Sequence, residues 1–197
     1  MCKNIVYYLS YFTILLKRFQ ILFNNRHKKD RYIECLLSVD GTGFQITERG
    51  CEWYSFKFKK SGLRYEVGLS IVGGEICWIS GPYQPGLYND LEIFWASLAT
   101  YLDPFERVEA DDRYVGEAPL RVKCPACVTI PEEREHMMKR VRSRQETINR
   151  RFKQWKILKQ IFRHDIQVHR DVFASIAVIT QLAINNGEAL FSVDSNA

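Results

Sequence analysis

Alternating apolar and polar residues occupy the middle of the chain and predict β-strands there. The stretch CLLSVDGTGFQIT, which begins at Cys35, sets Leu37 and Val39 on one face of a strand and Ser38 and Asp40 on the other. The glycines that follow are typical of a turn, so the pattern predicts that the strand ends close to Asp40. The Asp40 carboxyl group is then expected to point away from the face that carries Leu37 and Val39.

The next alternating segment predicts two or three antiparallel strands. In its first strand, aromatic residues alternate with serine and lysine in the order Tyr54, Ser55, Phe56, Lys57, Phe58 and Lys59. Residues 61–62 (Ser-Gly) are predicted to turn the chain, and residues 63–71 resume the alternation. The glycine pair at 73–74 is predicted to turn it again before EICWIS, so the segment indicates an antiparallel meander.

Later segments show helical spacing, with one further strand between them. Residues 87–102 carry apolar residues at this spacing and predict a helix. The run ERVEADD predicts a short strand that ends in the acidic pair Asp111 and Asp112. A long helix is predicted over residues 131–162, because this segment opens with proline and acids and has no internal proline or glycine. The final VHRDVFASIAVITQLAIN predicts a buried helix that covers the sheet.

The order of these elements is that of a ribonuclease H-like α/β domain. Such a domain has a mixed sheet, in which an antiparallel three-strand meander is joined by further parallel strands, and helices flank the sheet. In this architecture the first strand, the end of the fourth strand and a late helix bring their acids together. Those places hold Asp40, Asp111 and Glu146, so the three carboxylates are predicted to share one site.

Glu146 is predicted to lie nearly opposite the apolar stripe of the long helix. The stripe consists of Val141, Ile148, Phe152, Trp155 and Phe162. The neighbours of Glu146 on its own face are Arg142, Asn149, Arg150 and Lys153. The alternative to a functional role is a solvated face on which Glu146 and Arg150 form an ion pair.

Composition and charge favour one globular domain with a basic surface. The 197 residues are 46% hydrophobic and 26% charged, which is ordinary for a domain with a substantial core. The formal net charge is +5, and the basic residues concentrate in residues 134–164, the predicted polyanion contact. The six cysteines are scattered and predict reduced thiols without disulfides. The single CxxC at 124–127 lacks the second ligand pair of a structural zinc site.

Residues 1–30 are predicted to form an apolar helix and a basic linker ahead of the main domain at residues 31–193. The apolar run that begins at Ile5 is too short to span a bilayer before Lys17 interrupts it. No small-residue cleavage site follows, so neither a membrane span nor a signal peptide is expected. The helix is expected to pack its apolar face on the domain or on a neighbour.

Five fragments, in this order, resemble the DDE transposase domain of the Harbinger type. They are SVDGT, SFKFKKSGLRYEVGLSI, WISGPYQPGLYNDLEIF, ADDRYVG, and RSRQETINRRFKQWKIL followed by FRHDIQVHRDVFASIAVITQL. The resemblance covers residues 31–193 and implies a metal-dependent DNA endonuclease or transposase with a ribonuclease H-like fold. Such an enzyme hydrolyses phosphodiester bonds and uses the freed 3′ hydroxyl for strand transfer.

By position, the resemblance implies that three acids are both the catalytic residues and the metal ligands: Asp40 of VDGT, Asp111 of ADDRY and Glu146 of RQETIN. Clustered carboxylates repel one another and favour two hard cations, Mg²⁺ or Mn²⁺. One ion activates the attacking water and the other stabilises the leaving 3′ oxygen. Asp90 also matches the family's pattern, but it is predicted to be a first-turn acid of a helix outside the catalytic set.

DNA is the partner that the resemblance implies, as a transposon end or as target DNA. Five cations are expected to hold its phosphates: Lys57 and Lys59 on one face of the second strand, and Arg142, Arg150 and Lys153 around Glu146. The expected location is the nucleus in a eukaryote and otherwise the inside of the cell. The chain could form a homo-oligomer, and no membrane association is expected.

Two features depart from the family's pattern. Arg113 stands where the family usually has glycine, so it is expected to strain the backbone or to compete with the metals. Asp112 is the alternative ligand, but Asp111 keeps the family spacing to Tyr114. The residues before Asp40 show no helix-turn-helix, so a separate DNA-binding partner protein is expected.

Both departures keep an alternative function open, a catalytically inactive transposase-derived module that binds nucleic acid or protein. The intact set of acids favours the enzyme. A small-molecule enzyme has little support, because the sequence has no phosphate-binding loop and no dinucleotide fingerprint.

Overall fold

The computed structural model describes residues 21–27, 35–127, 132–191 and 193. Six strands follow one another as β1 (Cys35–Gln45), β2 (Tyr54–Ser55), β3 (Lys60–Ser70), β4 (Ile76–Tyr83), β5 (Arg107–Glu109) and β6 (Val122–Lys123). The α-helices in this part of the chain are α1 (Asp90–Ala96), α2 (Glu132–Gln154), α3 (Lys156–Lys159) and α4 (Ile166–Asn185). The molecule is therefore a mixed α/β protein.

The strands form one six-stranded mixed sheet with β1 in its interior. β1 pairs with β3 in antiparallel and with β5 in parallel orientation, and β6 continues the parallel side. β4 and β2 both pair with the far edge of β3 in antiparallel orientation. The antiparallel part of the sheet is thus β1, β3 and β4, joined by the parallel strands β5 and β6. The meander predicted within residues 54–80 was wrong for its first strand, because β2 lies on the same edge of β3 as β4.

Two apolar cores cover opposite faces of this sheet, because alternate residues of a strand point to opposite sides. The core beneath α2 and α4 includes Phe44, Tyr65, Ile148, Phe152 and Phe173. The core beneath α1 includes Leu37, Val39, Phe94, Leu98 and Val108. The prediction that Asp40 points away from Leu37 and Val39 is confirmed, since its carboxylate meets α2 on the opposite face.

Several predicted strand limits were wrong. β1 does not end near Asp40 but continues through its glycines to Gln45. The second strand stops at Ser55, residues 56–59 form a turn, and residues 61–62 lie inside β3. Gly62 is a site of close packing, because a Cβ there would lie 3.0 Å from the Phe44 carbonyl oxygen. The turn at residues 73–74 is confirmed, and Gly74 has the positive φ of 72° that favours glycine.

Two predicted helices are shorter than expected. α1 begins after Asn89, whose side chain forms a capping box with Glu92, and α1 ends at Ala96 before a single 3-10 turn. α2 ends at Gln154 because the backbone of Trp155 is extended, and the prediction that Trp155 belongs to the buried stripe was wrong, since it is 41% exposed. The rest of the stripe is buried as predicted, and the final helix is confirmed as α4.

The N-terminal prediction is tested only over residues 21–27, because the apolar run lies outside the described residues. A 3-10 helix spans Phe23–His27, where a linker was predicted. Arg26 is buried there and forms two ion pairs. Its Nε lies 2.7 Å from Glu106 Oε1, and its Nη2 lies 3.0 Å from Asp103 Oδ2. Within the described ranges, no helix combines the length and hydropathy needed to cross a membrane. Cys35, Cys51, Cys77 and Cys124 carry reduced thiols.

Candidate functional site

The three predicted acids line one pocket of about 110 Å³, named here the acid pocket. Asp40 lies on β1, Asp111 directly follows β5, and Glu146 lies on α2. β1 and β5 are parallel and align Ser38 with Glu109, so Asp40 and Asp111 each lie two residues further along neighbouring strands. The side chains of Asp40 and Asp111, which are distant in sequence, therefore lie at the same end of the paired part of β1 and β5.

Asp40 is held by α2 and is partly withdrawn from water. The Asn149 amide Nδ2 donates a hydrogen bond of 2.9 Å to Asp40 Oδ2. Burial and the negative charge of Asp111 raise the pKa of Asp40 from 3.8 to about 6, although the Gly41 amide and Arg113 oppose this rise. The charge on Asp40 is therefore unfavourable in this pocket unless a further cation approaches it.

Asp111, and not Asp112, faces the acid pocket. Asp111 is the N-cap of the 3-10 helix Asp112–Glu117, where its Oδ1 accepts a 3.0 Å hydrogen bond from the Arg113 amide. The Asp112 side chain instead accepts a hydrogen bond from the Ala126 amide and is not part of the pocket lining. The structure thus distinguishes the two neighbouring acids by what each one contacts.

Glu146 lies at the exposed surface of α2, beside a buried amide that fixes the helix to the sheet. Gln145 Nε2 donates to the Ser38 carbonyl oxygen at 2.8 Å and lies 3.0 Å from Ser38 Oγ. Glu146 and Arg150 are both described, and no ion pair joins them, so the alternative pairing predicted for this face is absent. The Glu146 carboxylate remains available to a ligand in the pocket.

Arg113 joins two acids at the edge of the site. Its Nε lies 3.4 Å from Asp111 Oδ2 and its Nη1 lies 3.3 Å from Asp90 Oδ2. Burial opposes the charge on Arg113, but Asp111 and Asp90 outweigh it and raise the pKa of this guanidinium. Among described residues other than glycine, only Lys59 and Phe105 have positive φ, so the expected backbone strain at Arg113 is absent. The expected competition with cations remains a prediction.

Asp90 is the first residue of α1, as predicted, and it is also a buried partner of the site. Only 6% of its surface is exposed, and its Oδ1 lies 3.5 Å from Arg64 Nη1. Two arginines therefore neutralise Asp90, and one of them is the arginine that contacts Asp111. Asp90 acts here through ion pairs and does not line the acid pocket.

The donors of the acid pocket fit a hard divalent cation in type and charge. Asp40 and Asp111 repel each other, and their oxygens are the ligands that Mg²⁺ and Mn²⁺ prefer. Across the described ranges, no three His, Cys, Asp or Glu side chains converge closely enough to form a ready-made metal site. The three acids thus share a pocket without meeting at a single point.

The five cations predicted to contact DNA lie in different surroundings. Arg142 lines the acid pocket, and Arg150 is exposed on the same helix. Lys153 is half-buried with its Nζ 5.9 Å from the centre of the Phe44 ring, and burial and the charge of Lys57 lower its pKa. Lys57 and Lys59 are exposed in the turn after β2, not on a strand as predicted.

Three polar residues of the site were not predicted to belong to it. Glu109 lines the acid pocket and is buried, and its spacing of two from Asp111 on an extended segment was the available signal. Asn149 lies three residues after Glu146, a helical spacing that predicted a shared face but not the bond to Asp40. Gln145 could not be predicted from the sequence, because a polar amide next to the charged residue Glu146 is expected to be exposed.

Comparison of the chain with protein-family models, curated protein sequences and solved structures returns no match. The geometry of the acid pocket and the charges around it are therefore the observations that bear on function.

Proposed function

We propose that this chain is a metal-dependent DNA nuclease domain of the Harbinger transposase type, with a ribonuclease H-like fold. The observation that carries the proposal is the acid pocket, which is lined by Asp40 on β1, Asp111 at the end of β5 and Glu146 on α2. The resemblance implied these same three residues. Their separation in sequence makes a shared pocket informative about a common role.

The strand arrangement supports the fold named in this proposal. β4, β3 and β1 are successive antiparallel neighbours, and β5 and β6 then extend the sheet in parallel orientation from β1. Helices lie on both faces of the sheet. This order is the one expected of a ribonuclease H-like domain.

In the proposed mechanism, Asp40, Asp111 and Glu146 would hold two divalent cations. When bound, these cations supply an activated water and charge stabilisation for the leaving oxygen. Asn149 fixes the Asp40 carboxylate through its amide, and the N-cap bond fixes Asp111. The water oxygen forms a bond to phosphorus, the bond to the 3′ oxygen breaks, and that oxygen takes up the proton. The products are a 3′ hydroxyl and a 5′ phosphate.

Cations on both sides of the acid pocket would orient the DNA backbone. Arg142 lies within the lining of the pocket. Lys57 is near enough to Lys153 to help burial lower the pKa of Lys153, and Asp40 opposes this change. Such contacts position a phosphate without reading its sequence, and they make binding sensitive to salt.

The proposal is tested by nicking of a supercoiled plasmid in Mg²⁺ or Mn²⁺. The wild-type chain is expected to nick the plasmid, and Asp40→Asn and Glu146→Gln are each expected to lower the rate by at least about 100-fold, because each removes an anionic ligand. Glu135→Gln is the matched control, since Glu135 lies on the same helix and pairs with Lys139. Equal rates in all four proteins would show that the activity comes from elsewhere.

A specific observation favours a second function, an inactive module that binds DNA without cleaving it. The Arg113 guanidinium already supplies a positive charge beside Asp111. In that case the wild-type chain binds DNA in a salt-sensitive way and does not nick it with either metal. Arg113→Gly then leaves the nicking assay unchanged, whereas a gain of nicking in this variant supports an enzyme that Arg113 restrains.

A further inference from the structure

A second and larger cavity, of about 600 Å³, lies near the acid pocket and is named here the side cleft. Its lining includes Gly41, Gly43, Phe56, Lys57, Arg64 and Arg113. Gly41 directly follows Asp40 on β1, and Arg113 contacts Asp111 of the acid pocket. Arg113 thus borders both cavities, and a DNA strand held in the acid pocket is within reach of the side cleft past this side chain. The volume lies within the range of small-ligand sites, roughly 300–1,000 Å³.

The two phenylalanines of the turn after β2 differ in how they are held. Phe58 packs onto β1, since a Cβ built on Gly43 would lie 3.2 Å from its ring. Phe56 is 84% exposed, and its ring makes a T-shaped contact with the Tyr54 ring, with the ring centres 5.2 Å apart. Phe56 thus presents a highly exposed aromatic ring at the lining of the cleft, on a turn that Phe58, two residues later, anchors to the sheet.

The charge of the side cleft suits a phosphate backbone. Its charged lining consists of Lys57, Arg64, Arg113 and Asp90, so cations are in excess among the described residues. Asp90 is buried and already neutralised by the two arginines. Arg64 uses its Nη1 for the Tyr88 carbonyl oxygen and for Asp90, which leaves its other donors for a ligand. An aromatic face among cations is the combination that binds single-stranded nucleic acid.

We propose that the side cleft binds an unpaired nucleotide of the DNA strand next to the phosphate held in the acid pocket. The base stacks on Phe56, and the phosphate beyond it meets Lys57 and Arg64. This inference rests on the proposed function for the identity of the ligand as DNA. It adds that the strand is recognised as single-stranded at this position, through base stacking and without a paired partner.

The test measures binding in the absence of divalent cations, so that it is independent of cleavage. The probes are a fluorescent single-stranded oligodeoxynucleotide, the same strand with abasic sites throughout, and a blunt duplex, each titrated in EDTA and followed by anisotropy. The wild-type chain is expected to bind the base-bearing strand about tenfold more tightly than the abasic strand, as one stacked base provides. Phe56→Ala removes this preference, and Phe56→Trp keeps it.

Phe105→Ala is the matched control, because Phe105 is 99% exposed and lies outside the cleft lining. It is expected to retain the preference for bases. Lys57→Gln is expected to weaken both strands alike and to lower the salt slope by about 0.7. The duplex is expected to bind Phe56→Ala and wild type equally.

The proposal is overturned if Phe56→Ala keeps the preference for the base-bearing strand, or if Phe105→Ala loses it to the same extent. It is also overturned if the wild-type chain shows no preference for bases. Because no metal is present, failure of the nicking assay leaves this result unaffected, and failure here leaves the assignment of the three acids unaffected.

Discussion

Among single residues, the charges around Asp111 determine the affinity of the acid pocket for a divalent cation. Asp40 and Asp111 repel each other, and Arg113 relieves part of that repulsion from one side. A divalent cation bound by these two acids would lie close to the positively charged guanidinium of Arg113. Like charges at such distances weaken binding, and water screens them only in part because Asp40 is half-buried.

Arg113→Gln is therefore expected to tighten Mn²⁺ binding by about tenfold, because it removes a positive charge and keeps the length of the side chain. Isothermal titration calorimetry or Mn²⁺ electron paramagnetic resonance measures this affinity. Arg49→Gln is the control, since Arg49 is exposed in the loop after β1. An affinity that is unchanged in Arg113→Gln would show that the ion pair with Asp111 does not compete with metal.

At the scale of elements, α2 is fixed to the sheet by one buried amide as well as by its apolar stripe. Gln145 is 4% exposed and donates to the Ser38 carbonyl oxygen on β1. Gln145→Ala is expected to lower the free energy of unfolding by roughly 1–3 kcal/mol, because a buried acceptor loses its donor. Urea denaturation measures the change, with Ser143→Ala, at an exposed position of the same helix, as the control. A change no larger than that of the control would contradict the anchoring role.

Two buried groups link the sheet to elements on its opposite faces and have opposite pH dependence. Glu66 on β3 accepts from Trp78 Nε1 at 3.0 Å and lies 3.0 Å from Ser97 Oγ, and burial raises its pKa from 4.5 to about 7. His169 on α4 lies 2.8 Å from the Tyr65 hydroxyl, and burial lowers its pKa from 6.5 to about 4. Both side chains are therefore neutral in the folded protein at about pH 5 to 6.

The free energy of unfolding falls with pH where the folded state binds more protons than the unfolded state, and rises where it binds fewer. As the pH rises from 4.5 to 7, unfolded Glu66 loses a proton that the folded state keeps, so stability falls by about 3 kcal/mol. As the pH falls from 6.5 to 4, His169 gains a proton in the unfolded state but stays neutral in the folded state, so stability falls by a similar amount. In the wild-type chain these two slopes largely offset each other.

Single variants separate the two contributions. Glu66→Gln is expected to make the free energy of unfolding rise more steeply with pH between 4.5 and 7 than in the wild type. His169→Phe is expected to make it fall with pH over the same range. Urea denaturation at four pH values gives the three profiles. If either variant runs parallel to the wild type, the corresponding group does not titrate as its burial requires.

At the scale of the whole molecule, periodicity predicted the order and kind of most elements. Leu37 and Val39 gave the face of β1, and the apolar stripe with Ile148 gave the buried side of α2. Those signals are strong because each buried face needs apolar residues at a fixed interval. The gathering of Asp40, Asp111 and Glu146 was predicted from the order of the elements and the resemblance, since periodicity alone carries no long-range pairing.

The errors have a common physical origin in close packing between strands and helices. Gly62 was read as a turn, yet its lack of a side chain lets β1 and Phe58 approach β3. Trp155 was assigned to a continuous helix, yet the chain turns there and Phe162 pairs with Ile46 beside β1. The ion pairs of Arg113 also depend on tertiary contacts. No local pattern reports contacts of this kind.

The most direct measurement of the central claim is a crystal structure of the wild-type chain soaked with Mn²⁺, with anomalous scattering recorded at the manganese edge. The predicted result is an anomalous peak in the acid pocket within coordination distance, about 2.1 Å, of carboxylate oxygens of Asp40 and Asp111, with Glu146 turned toward it. Asp40→Asn should lose the peak. A crystal with manganese elsewhere, or with the acid pocket empty at millimolar Mn²⁺ and the Arg113 to Asp111 ion pair intact, would contradict the claim.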